Sequence, residues 1–263
     1  MAPWALLRGV PESFAACVTR RPADPPLDPA LARRQHRAYR ACLEEGGFAT
    51  RLLPADEAHP DCAFIEDTAV LLGEGALLTR PGHPRRRGEV AGVAAALEES
   101  LRVDAMEAPA TLDGGDVLRV GRRLFVGESE RTNPAGREAL ARFAAPRGYE
   151  VVPVPVAGVL HLKSAATALD DATVLVFPGA VSPAAFRGLR VVAVAGDDPE
   201  AANVVRLPDG RILVAEHLPQ SAAAGRAAGF NPLACNVSEF ARADGGLTCL
   251  SLRCRLGLAS ARP

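Results

Sequence analysis

The sequence predicts an α/β propeller of five modules, with the last module shared between the N- and C-terminal segments. Three observations lead to this fold class: a repeated segment, a hairpin after each copy, and an incomplete final copy. The repeated segment is a polar cluster followed by an apolar run of strand-forming residues. Its copies are FIEDTAVLL, LDGGDVLRV, LHLKSAATAL, EAANVVRL and DGGLTCLSL, which begin at residues 64, 112, 160, 200 and 244. A period of about 40–50 residues is typical of repeat architectures.

The first four copies are each followed by a second apolar run across a connection that contains glycine, which is a hairpin signal. These second runs begin at Gly75, Arg122, Ala172 and Gly210. A polar or alanine-rich stretch that can form a helix comes next, and a third strand such as YEVVPVPV or RVVAVAG follows it. In NPAGREALARFAA, Asn133 is a predicted helix N-cap before a proline at the first helical position. Each unit is therefore strand, strand, helix, strand.

The fifth copy lacks a second strand because the chain nearly ends there. The N-terminal segment WALLRG can supply that strand, and PALARRQHRAYRACLEEG and ATRLLP can complete the module as helix and strand. This closure would remove the exposed edge of the sheet. We therefore expect residues 1–263 to form a single propeller domain. An open doubly wound sheet is the alternative, but no G-x-G-x-x-G turn occurs where that fold needs one.

The composition excludes several classes of protein. The 263 residues carry 30 basic and 31 acidic side chains, so we expect a small-molecule partner, with no nucleic acid and no membrane. No window approaches the 18 apolar residues of a membrane span, and the N-terminus lacks the basic leader of a signal peptide. Six scattered cysteines form no zinc-ligand spacing. We expect a cytoplasmic protein with free thiols, a monomer or homodimer, without a metal or cofactor.

The polar clusters of the repeats are expected to converge at one end of the ring. They contain a thiol, an imidazole and carboxylates, which are the groups of a cysteine nucleophile, its base and an orienting acid. Cys249, His161 and Asp113 can fill these three roles. Each of them taken alone is more often structural, and their coincidence at equivalent positions of the repeat favours chemistry. The same clusters also contain Asp116, Lys163, Ser164, Asn203 and Thr248.

Acidic and basic side chains near these clusters indicate a zwitterionic ligand. Glu66 and Asp67 are consecutive in a predicted strand, so one of them should face inward. A buried acid is rare unless it is paired, and its partner would be either a cationic ligand or an arginine of the protein. Arg86 and Arg131 follow hairpins, and arginine binds carboxylates through a planar fork. Together they suggest an amino acid with a cationic side chain, although each arginine could instead be solvated surface charge.

The ordered segments PDCAFIEDTAV, LLTRPGHPRRRGE, TLDGGDVL, FVGESERTN, LHLKSA, AANVV and DGGLTCLSL resemble those of the dimethylarginine dimethylaminohydrolases. That family belongs to the guanidino-modifying, or pentein, superfamily, and the resemblance covers nearly the whole chain. It implies a five-module α/β propeller that hydrolyses Nω-methylated arginines to citrulline and a methylamine through a covalent thiouronium intermediate. It implies Cys249 as the nucleophile, His161 as the general acid and base, and Asp113 as the residue that orients His161.

The resemblance also implies where the substrate's cationic groups bind. Asp67, with Glu66 and Asp244, would surround the guanidinium. Asp61 and the backbone near Val18 would receive the α-amino group. The segment FAACVTRRPADPP around Val18 departs from the family pattern, so the residues of the lid over the site are not fixed by it.

By the same resemblance, Arg86 and Arg131 would bind the α-carboxylate, and no metal is required, although zinc could inhibit by occupying the cysteine and histidine. The alternatives within the superfamily are an arginine deiminase and an amidinotransferase, which are typically longer. A non-catalytic pentein binding protein is the alternative outside enzymes. The presence of the cysteine, the histidine and the orienting acid together argues against it.

Two cysteines lie near the C-terminus, and the sequence separates them. Cys254 follows Cys249 by five residues, an odd spacing that points it to the opposite face of a strand. We therefore expect Cys249 to be reactive and Cys254 to be structural. The final segment RLGLASARP carries no recognisable motif.

Overall fold

A computed structural model describes residues 2–20 and 22–254, so the segment RLGLASARP lies outside the described residues. The strands within these ranges are β1 (Trp4–Arg8), β2 (Ala49–Leu53), β3 (Ala69–Leu72), β4 (Gly75–Leu78), β5 (Arg102–Ala105), β6 (Val117–Val120), β7 (Arg123–Glu128), β8 (Glu150–Pro155), β9 (Ala166–Ala168), β10 (Thr173–Val176), β11 (Arg190–Ala193), β12 (Val205–Arg206), β13 (Ile212–Ala215), β14 (Pro232–Cys235) and β15 (Leu252–Cys254). The α-helices are α1 (Pro29–Glu45), α2 (Val90–Glu98), α3 (Pro134–Ala144), α4 (Leu162–Ala165), α5 (Pro219–Ala227) and α6 (Ser238–Ala241).

The strands form five three-stranded sheets, ordered β3-β4-β5, β6-β7-β8, β9-β10-β11, β12-β13-β14 and β15-β1-β2. In every sheet the central strand pairs antiparallel with one neighbour and parallel with the other. The parallel strand returns through a crossover connection, as the geometry of parallel pairing requires. This arrangement confirms the five-module α/β propeller.

The last sheet joins the two ends of the chain as predicted. Strand β1 lies between β15 and β2, with Trp4 opposite Cys254 on one side and Ala49 on the other. Because both edges of β1 are paired, its backbone groups are satisfied within the sheet. The N-terminal segment therefore completes a module that begins almost 250 residues later in the sequence.

Helix caps explain where the crossover helices begin. Asp28 accepts hydrogen bonds from the backbone amides of Ala30 and Leu31 at 2.8 and 3.1 Å, before Pro29 at the first position of α1. Asn133 caps α3 in the same way, with a bond of 2.8 Å from the Gly136 amide. Each cap satisfies a donor that has no partner inside the helix.

The third module differs from the prediction because its crossover contains no α-helix. A single 3₁₀ turn at Pro183–Phe186 takes the place of the helix. Gly188 follows closely with a φ of +77°, a left-handed conformation that ends a helix. Too few residues lie between Ser182 and that glycine for a longer helix to form.

The polar clusters were predicted as the beginnings of strands, and this was wrong. They form short helical turns that precede the first strand of each module: Ile65–Thr68, Gly114–Asp116, Leu162–Ala165 (the helix α4), Pro199–Ala202 and Thr248–Leu250. Side chains in such turns do not alternate between two faces as they do in strands. Glu66 and Asp67 can therefore both be buried, although a strand would have buried only one of them.

No helix in the described ranges has the length and hydropathy that crossing a membrane would require.

Candidate active site

The turn that carries Cys249 is fixed by an amide from the neighbouring module. Asn203 Oδ1 accepts a hydrogen bond from the Thr248 amide at 3.1 Å, and its Nδ2 donates to the Lys163 carbonyl at 2.9 Å. The Gly246 amide lies 3.4 Å from the Cys249 sulfur. A Cβ on Gly246 would stand 2.6 Å from the Asn203 side chain, so this close approach requires glycine. Three modules are thereby joined around the thiol.

His161 and Asp113 form a buried pair. His161 Nε2 lies 2.9 Å from Asp113 Oδ2, and the Gly82 amide donates to Asp113 Oδ1 at 2.8 Å. Gly115 packs so closely that a Cβ there would stand 2.6 Å from His161 Nδ1. The second glycine of LDGGD therefore makes room for the imidazole beside its carboxylate partner. This pairing is the geometry expected of a histidine oriented by an acid.

The charge of His161 is set by the acids around it. Burial alone would lower its pKa, but Asp67, the hydrogen bond with Asp113 and the charge of Asp116 outweigh burial and raise the pKa to about 9. His161 is therefore an imidazolium at neutral pH in the unliganded site. An imidazolium is a proton donor, which suits it to protonate a leaving group.

Asp116 holds the backbone beside His161 in place, a role that the sequence analysis did not predict. Its Oδ1 accepts a hydrogen bond from the Leu162 amide at 3.0 Å, and its Oδ2 accepts hydrogen bonds from the hydroxyls of Ser129 and Thr132 at 2.5 and 2.6 Å. Burial raises the pKa of this carboxyl. Because Leu162 follows His161 directly, these bonds hold the start of α4 in place. Asp116 is the second aspartate of LDGGD, and its place in a repeated polar cluster was the sequence signal for this role.

Glu66 and Asp67 are both paired with cations of the protein, which was one of the two partners considered for them. Glu66 Oε1 lies 2.6 Å from Nζ of Lys163, the single lysine of the sequence, and 2.9 Å from Arg253 Nη2. Asp67 Oδ2 accepts from Arg86 at 2.5 Å, and its Oδ1 accepts from the Gly115 amide at 2.8 Å. Burial opposes ionisation of Asp67, but His161 and Arg86 lower its pKa to about 2.

The two predicted carboxylate-binding arginines have different surroundings. Arg86 is buried, with hydrogen bonds to Asp67, to the Phe64 carbonyl and, in bidentate fashion, to Glu89. Its guanidinium is thus occupied within the protein. Arg131 lies with Nη1 3.6 Å from Asp113 Oδ2, and this buried nitrogen has no hydrogen-bond acceptor. Arg131 is therefore the more open of the two to an anionic ligand.

Residues 17–20 of the predicted lid, which follow a 3₁₀ turn at Glu12–Ala16, contact two predicted site residues. The Val18 amide donates to both oxygens of Asp61, at 3.0 and 3.2 Å, and burial raises the pKa of that carboxyl. Asp244, at a φ of +57°, accepts from the Arg20 amide at 2.5 Å and from its Nε at 3.3 Å. The carboxylate of Asp244 is thus bound to Arg20 in this structure, and its place around a guanidinium, which the family resemblance implies, stays a prediction.

The two C-terminal cysteines have distinct environments. Burial, together with the charges of Glu66 and Asp67, raises the pKa of the Cys249 thiol, so the unliganded site favours the protonated form. Cys254 lies in β15, with its sulfur 3.9 Å from the Gly73 carbonyl. This placement agrees with the prediction that Cys254 is a packed residue.

Four buried polar atoms near these residues have no hydrogen-bond partner: Glu66 Oε2, Glu200 Oε2, Arg131 Nη1 and His83 Nδ1. Glu200 interacts electrostatically with both His161 and Cys249, whereas His83 interacts with Arg131 and Asp61. Buried polar atoms are normally satisfied, so such a group requires an explanation. Glu200 and His83 were not among the predicted site residues. Glu200 opens the fourth copy of the repeat, which was the one signal for it.

Asp67, Asp113 and His161 are close enough to hold a metal ion, because their ligand atoms all lie within 4.8 Å of one another. Their oxygens already accept hydrogen bonds from Arg86, Gly115, Gly82 and His161. A cation would have to displace these donors.

Comparison with solved structures defines the class of protein as a pentein. A Pseudomonas aeruginosa dimethylarginine dimethylaminohydrolase, in a cysteine-to-serine variant with citrulline, superposes with a TM-score of 0.90 and 28% identity, covering 97% of this chain and all of that one. A histidine-to-glycine variant of a dimethylarginine dimethylaminohydrolase, as an adduct with S-methyl-L-thiocitrulline, gives a TM-score of 0.91, 28% identity and the same coverage.

The sequence comparison then gives the family. The N(G),N(G)-dimethylarginine dimethylaminohydrolase of Streptomyces coelicolor is 42% identical over 233 residues, which cover 87% of this chain and 88% of that protein. No family model matches the chain. The chain belongs to the dimethylarginine dimethylaminohydrolase family.

Proposed function

We propose that this protein hydrolyses Nω,Nω-dimethyl-L-arginine and Nω-monomethyl-L-arginine to L-citrulline and dimethylamine or methylamine. The observation that carries the proposal is the hydrogen-bonded His161–Asp113 pair, whose neighbour Asp67 interacts electrostatically with both His161 and the partly buried Cys249 thiol. Unsatisfied polar atoms of opposite charge lie on the surrounding residues. Carboxylate oxygens of Glu66 and Glu200 suit a guanidinium, and the Arg131 nitrogen suits an α-carboxylate. Membership of the family supports the same substrate class.

The α-amino group of the substrate would bind beside the predicted lid segment. Asp61 supplies a buried carboxylate, and the adjoining Val18 backbone offers a carbonyl. Arg131 would receive the α-carboxylate, and Arg86 could join it only after exchanging one of its present acidic partners. Fixing both ends of the amino acid places the guanidinium carbon at the thiol, and such positioning can contribute about 7–11 kcal/mol of barrier reduction.

The first chemical step begins with the substrate's own charge. Without a ligand the carboxylates around Cys249 disfavour its thiolate. A bound guanidinium neutralises those carboxylates, so the thiol loses its proton to solvent as the substrate arrives. The thiolate then adds to the guanidinium carbon. The His161 imidazolium protonates the departing amine, the C–N bond breaks, and a covalent thiouronium remains on Cys249.

The second step returns the enzyme to its starting state. His161, now neutral, takes a proton from water while the oxygen adds to the thiouronium carbon. The C–S bond breaks, the hydroxyl proton of the intermediate passes to the departing Cys249 sulfur, and citrulline leaves an enzyme with a neutral thiol and a His161 imidazolium. Asp113 keeps the imidazole in one orientation through both steps, because its hydrogen bond fixes the ring.

Citrulline formation from a panel of arginine, monomethylarginine and asymmetric dimethylarginine tests the proposal. We expect colorimetric detection of citrulline from the methylated substrates and release of the corresponding methylamine. Citrulline and ammonia from arginine alone would establish the deiminase alternative. Absence of product from all three would support a non-catalytic binding protein and would overturn the proposal.

The oligomeric state and compartment belong to the proposal as well. We propose a monomer or homodimer in the cytoplasm, and the cysteines among the described residues are all free thiols, as a reducing compartment favours. Light scattering coupled to size-exclusion chromatography distinguishes these assemblies from larger ones. Cell fractionation with an antibody to the protein tests the compartment.

A further inference from the structure

Glu200 is a partly buried acid whose backbone is held by two hydrogen bonds. Its amide donates to Asp198 Oδ1 at 2.9 Å, and its carbonyl accepts from the Asn203 amide at the same distance. The turn that carries Glu200 packs against α4, which begins one residue after His161, and Glu200 Oε2 is buried without a partner. A buried carboxylate oxygen in this state is costly unless a ligand completes it.

The other acids around the site are engaged by the protein. Asp67, Asp113, Asp116 and Asp244 each accept hydrogen bonds on both oxygens from described residues. Among the acids of the site in the described ranges, the two with a buried, unsatisfied carboxylate oxygen are therefore Glu66 and Glu200. The bonded oxygen of Glu66 already faces two cations, whereas Glu200 forms no salt bridge with any residue of the described ranges.

The two open carboxylates both act on the nucleophile, although they come from different modules. Glu66, on the turn of the first module, and Glu200, on the turn of the fourth, each disfavour the Cys249 thiolate when they are ionised. Glu200 also interacts with His161, which would protonate the leaving amine. Resting on the proposed function, we infer that Glu200 is a second open carboxylate of the guanidinium subsite and binds the substrate cation together with Glu66.

This placement couples substrate binding to proton release. Burial raises the pKa of Glu200 to about 8, so the carboxyl is largely protonated at neutral pH without a ligand. A guanidinium beside it favours the ionised form and lowers that pKa. Glu200 therefore gives up its proton when a cationic ligand binds. L-Citrulline has the same amino-acid end but a neutral ureido group, so it should not cause this release.

The experiment compares the two ligands by titration calorimetry on a Cys249→Ser background, which removes both turnover and the thiol proton. We expect Glu200→Gln to weaken binding of asymmetric dimethylarginine about 10- to 100-fold, as for a lost charged hydrogen bond. Citrulline affinity should change less than about 3-fold, because that ligand carries no side-chain charge. Glu216→Gln, an exposed acid after β13 in the same module, is the matched control. Titrations at pH 7.5 in buffers of different ionisation enthalpy measure the proton release, which Glu200→Gln should reduce.

The outcomes separate this inference from the proposed function. Unchanged dimethylarginine affinity in Glu200→Gln, or equal weakening of both ligands, overturns the role of Glu200 while leaving turnover by the wild type intact. Failure of the Cys249→Ser parent to bind dimethylarginine, together with no citrulline from the wild type, overturns the proposed function instead. If Glu200→Gln does not fold, Glu200→Asp keeps the charge but shortens its reach, and the same selective loss for the cationic ligand is expected.

Discussion

At the scale of single residues, burial does not identify the nucleophile. Desolvation raises the pKa values of both Cys249, which is partly buried, and Cys254, which is buried, so neither is a thiolate in the unliganded protein. They differ in their neighbours. Cys249 is surrounded by carboxylates that a cation can neutralise, whereas Cys254 packs against a backbone carbonyl in β15. Reactivity at Cys249 therefore depends on the charge of its ligand.

Replacing each thiol by serine tests this distinction. Cys249→Ser should lower kcat at least about 10³-fold, as for loss of a nucleophile. Cys254→Ser should retain most of the activity, with a modest loss of stability from a polar group in a packed position. Citrulline assays on both purified variants check the result. Comparable activity in the two variants would mean that the wrong thiol has been chosen.

The charge of His161 predicts a pH dependence. Its pKa is raised to about 9, so the imidazolium is present below this value and is lost as the pH rises through it. Because the leaving amine needs that proton, kcat/KM should fall above about pH 9. In Asp113→Asn the loss of the carboxylate should move this limb to lower pH and lower kcat about 10²- to 10⁴-fold. A falling limb that stays at the same pH in Asp113→Asn would contradict the assignment of the limb to His161.

At the scale of elements, the short turns before the first strands carry the chemistry. Each turn presents side chains to the site while the following strand anchors it in a sheet. Glycines make this packing possible, since a Cβ on Gly114 would stand 2.0 Å from the Glu66 carbonyl oxygen. Sites on such turns are positioned by neighbouring modules as well as by their own sheet. Asn203 is the clearest instance, because it binds backbone atoms of the third and fifth modules.

Asn203→Ala should therefore impair catalysis. It leaves the Thr248 amide and the Lys163 carbonyl unpaired, which costs about 1–3 kcal/mol for each buried group. The turn that holds Cys249 loses its fixed position, so kcat should fall at least about 10-fold.

Asn133→Ala is the matched control, because Asn133 also binds backbone groups but caps α3. It should cost about 1 kcal/mol of stability and retain most of the activity. Denaturant unfolding and citrulline assays measure both quantities. Equal kcat in the two variants would show that the bridge does not position the nucleophile.

At the scale of the whole molecule, the ring closes through β1. This strand pairs with β15 on one side and β2 on the other, and Leu6 and Leu252 belong to one apolar cluster with the β3 and β4 residues of the first module. The ends of the chain are thereby tied into the sheet that positions Cys249. We propose on this basis that residues 1–263 fold as one cooperative domain.

Trp4, the single tryptophan of the sequence, lies in the closing strand and reports on this cooperativity. Unfolding in urea followed by its fluorescence and by far-ultraviolet circular dichroism should give coincident transitions. A fluorescence change at a clearly lower urea concentration would show that β1 detaches before the rest unfolds. That result would contradict closure as a condition of global stability.

Much of the architecture could be predicted from the sequence because local patterns encode it. Apolar runs, glycine-containing connections and the Asn133 cap are local features, and the repeat spacing showed how they combine. The early start assigned to the strands was wrong because the boundary between a turn and a strand depends on hydrogen bonds to other modules. The third crossover was also mispredicted, since the glycine after Phe186 ends its helical turn early.

The sequence by itself determined the five modules, their closure and the candidate roles of Cys249, His161 and Asp113, because residue order and spacing carry that information. Only the tertiary structure decided which charged groups are left without a hydrogen-bond partner. Arg86 is hydrogen bonded to Asp67 and Glu89, and Asp244 is hydrogen bonded to Arg20. Glu200 is left with an unsatisfied oxygen near the nucleophile. The reason is physical: whether a buried charge is satisfied depends on partners that are distant in sequence and become neighbours only when the ring closes.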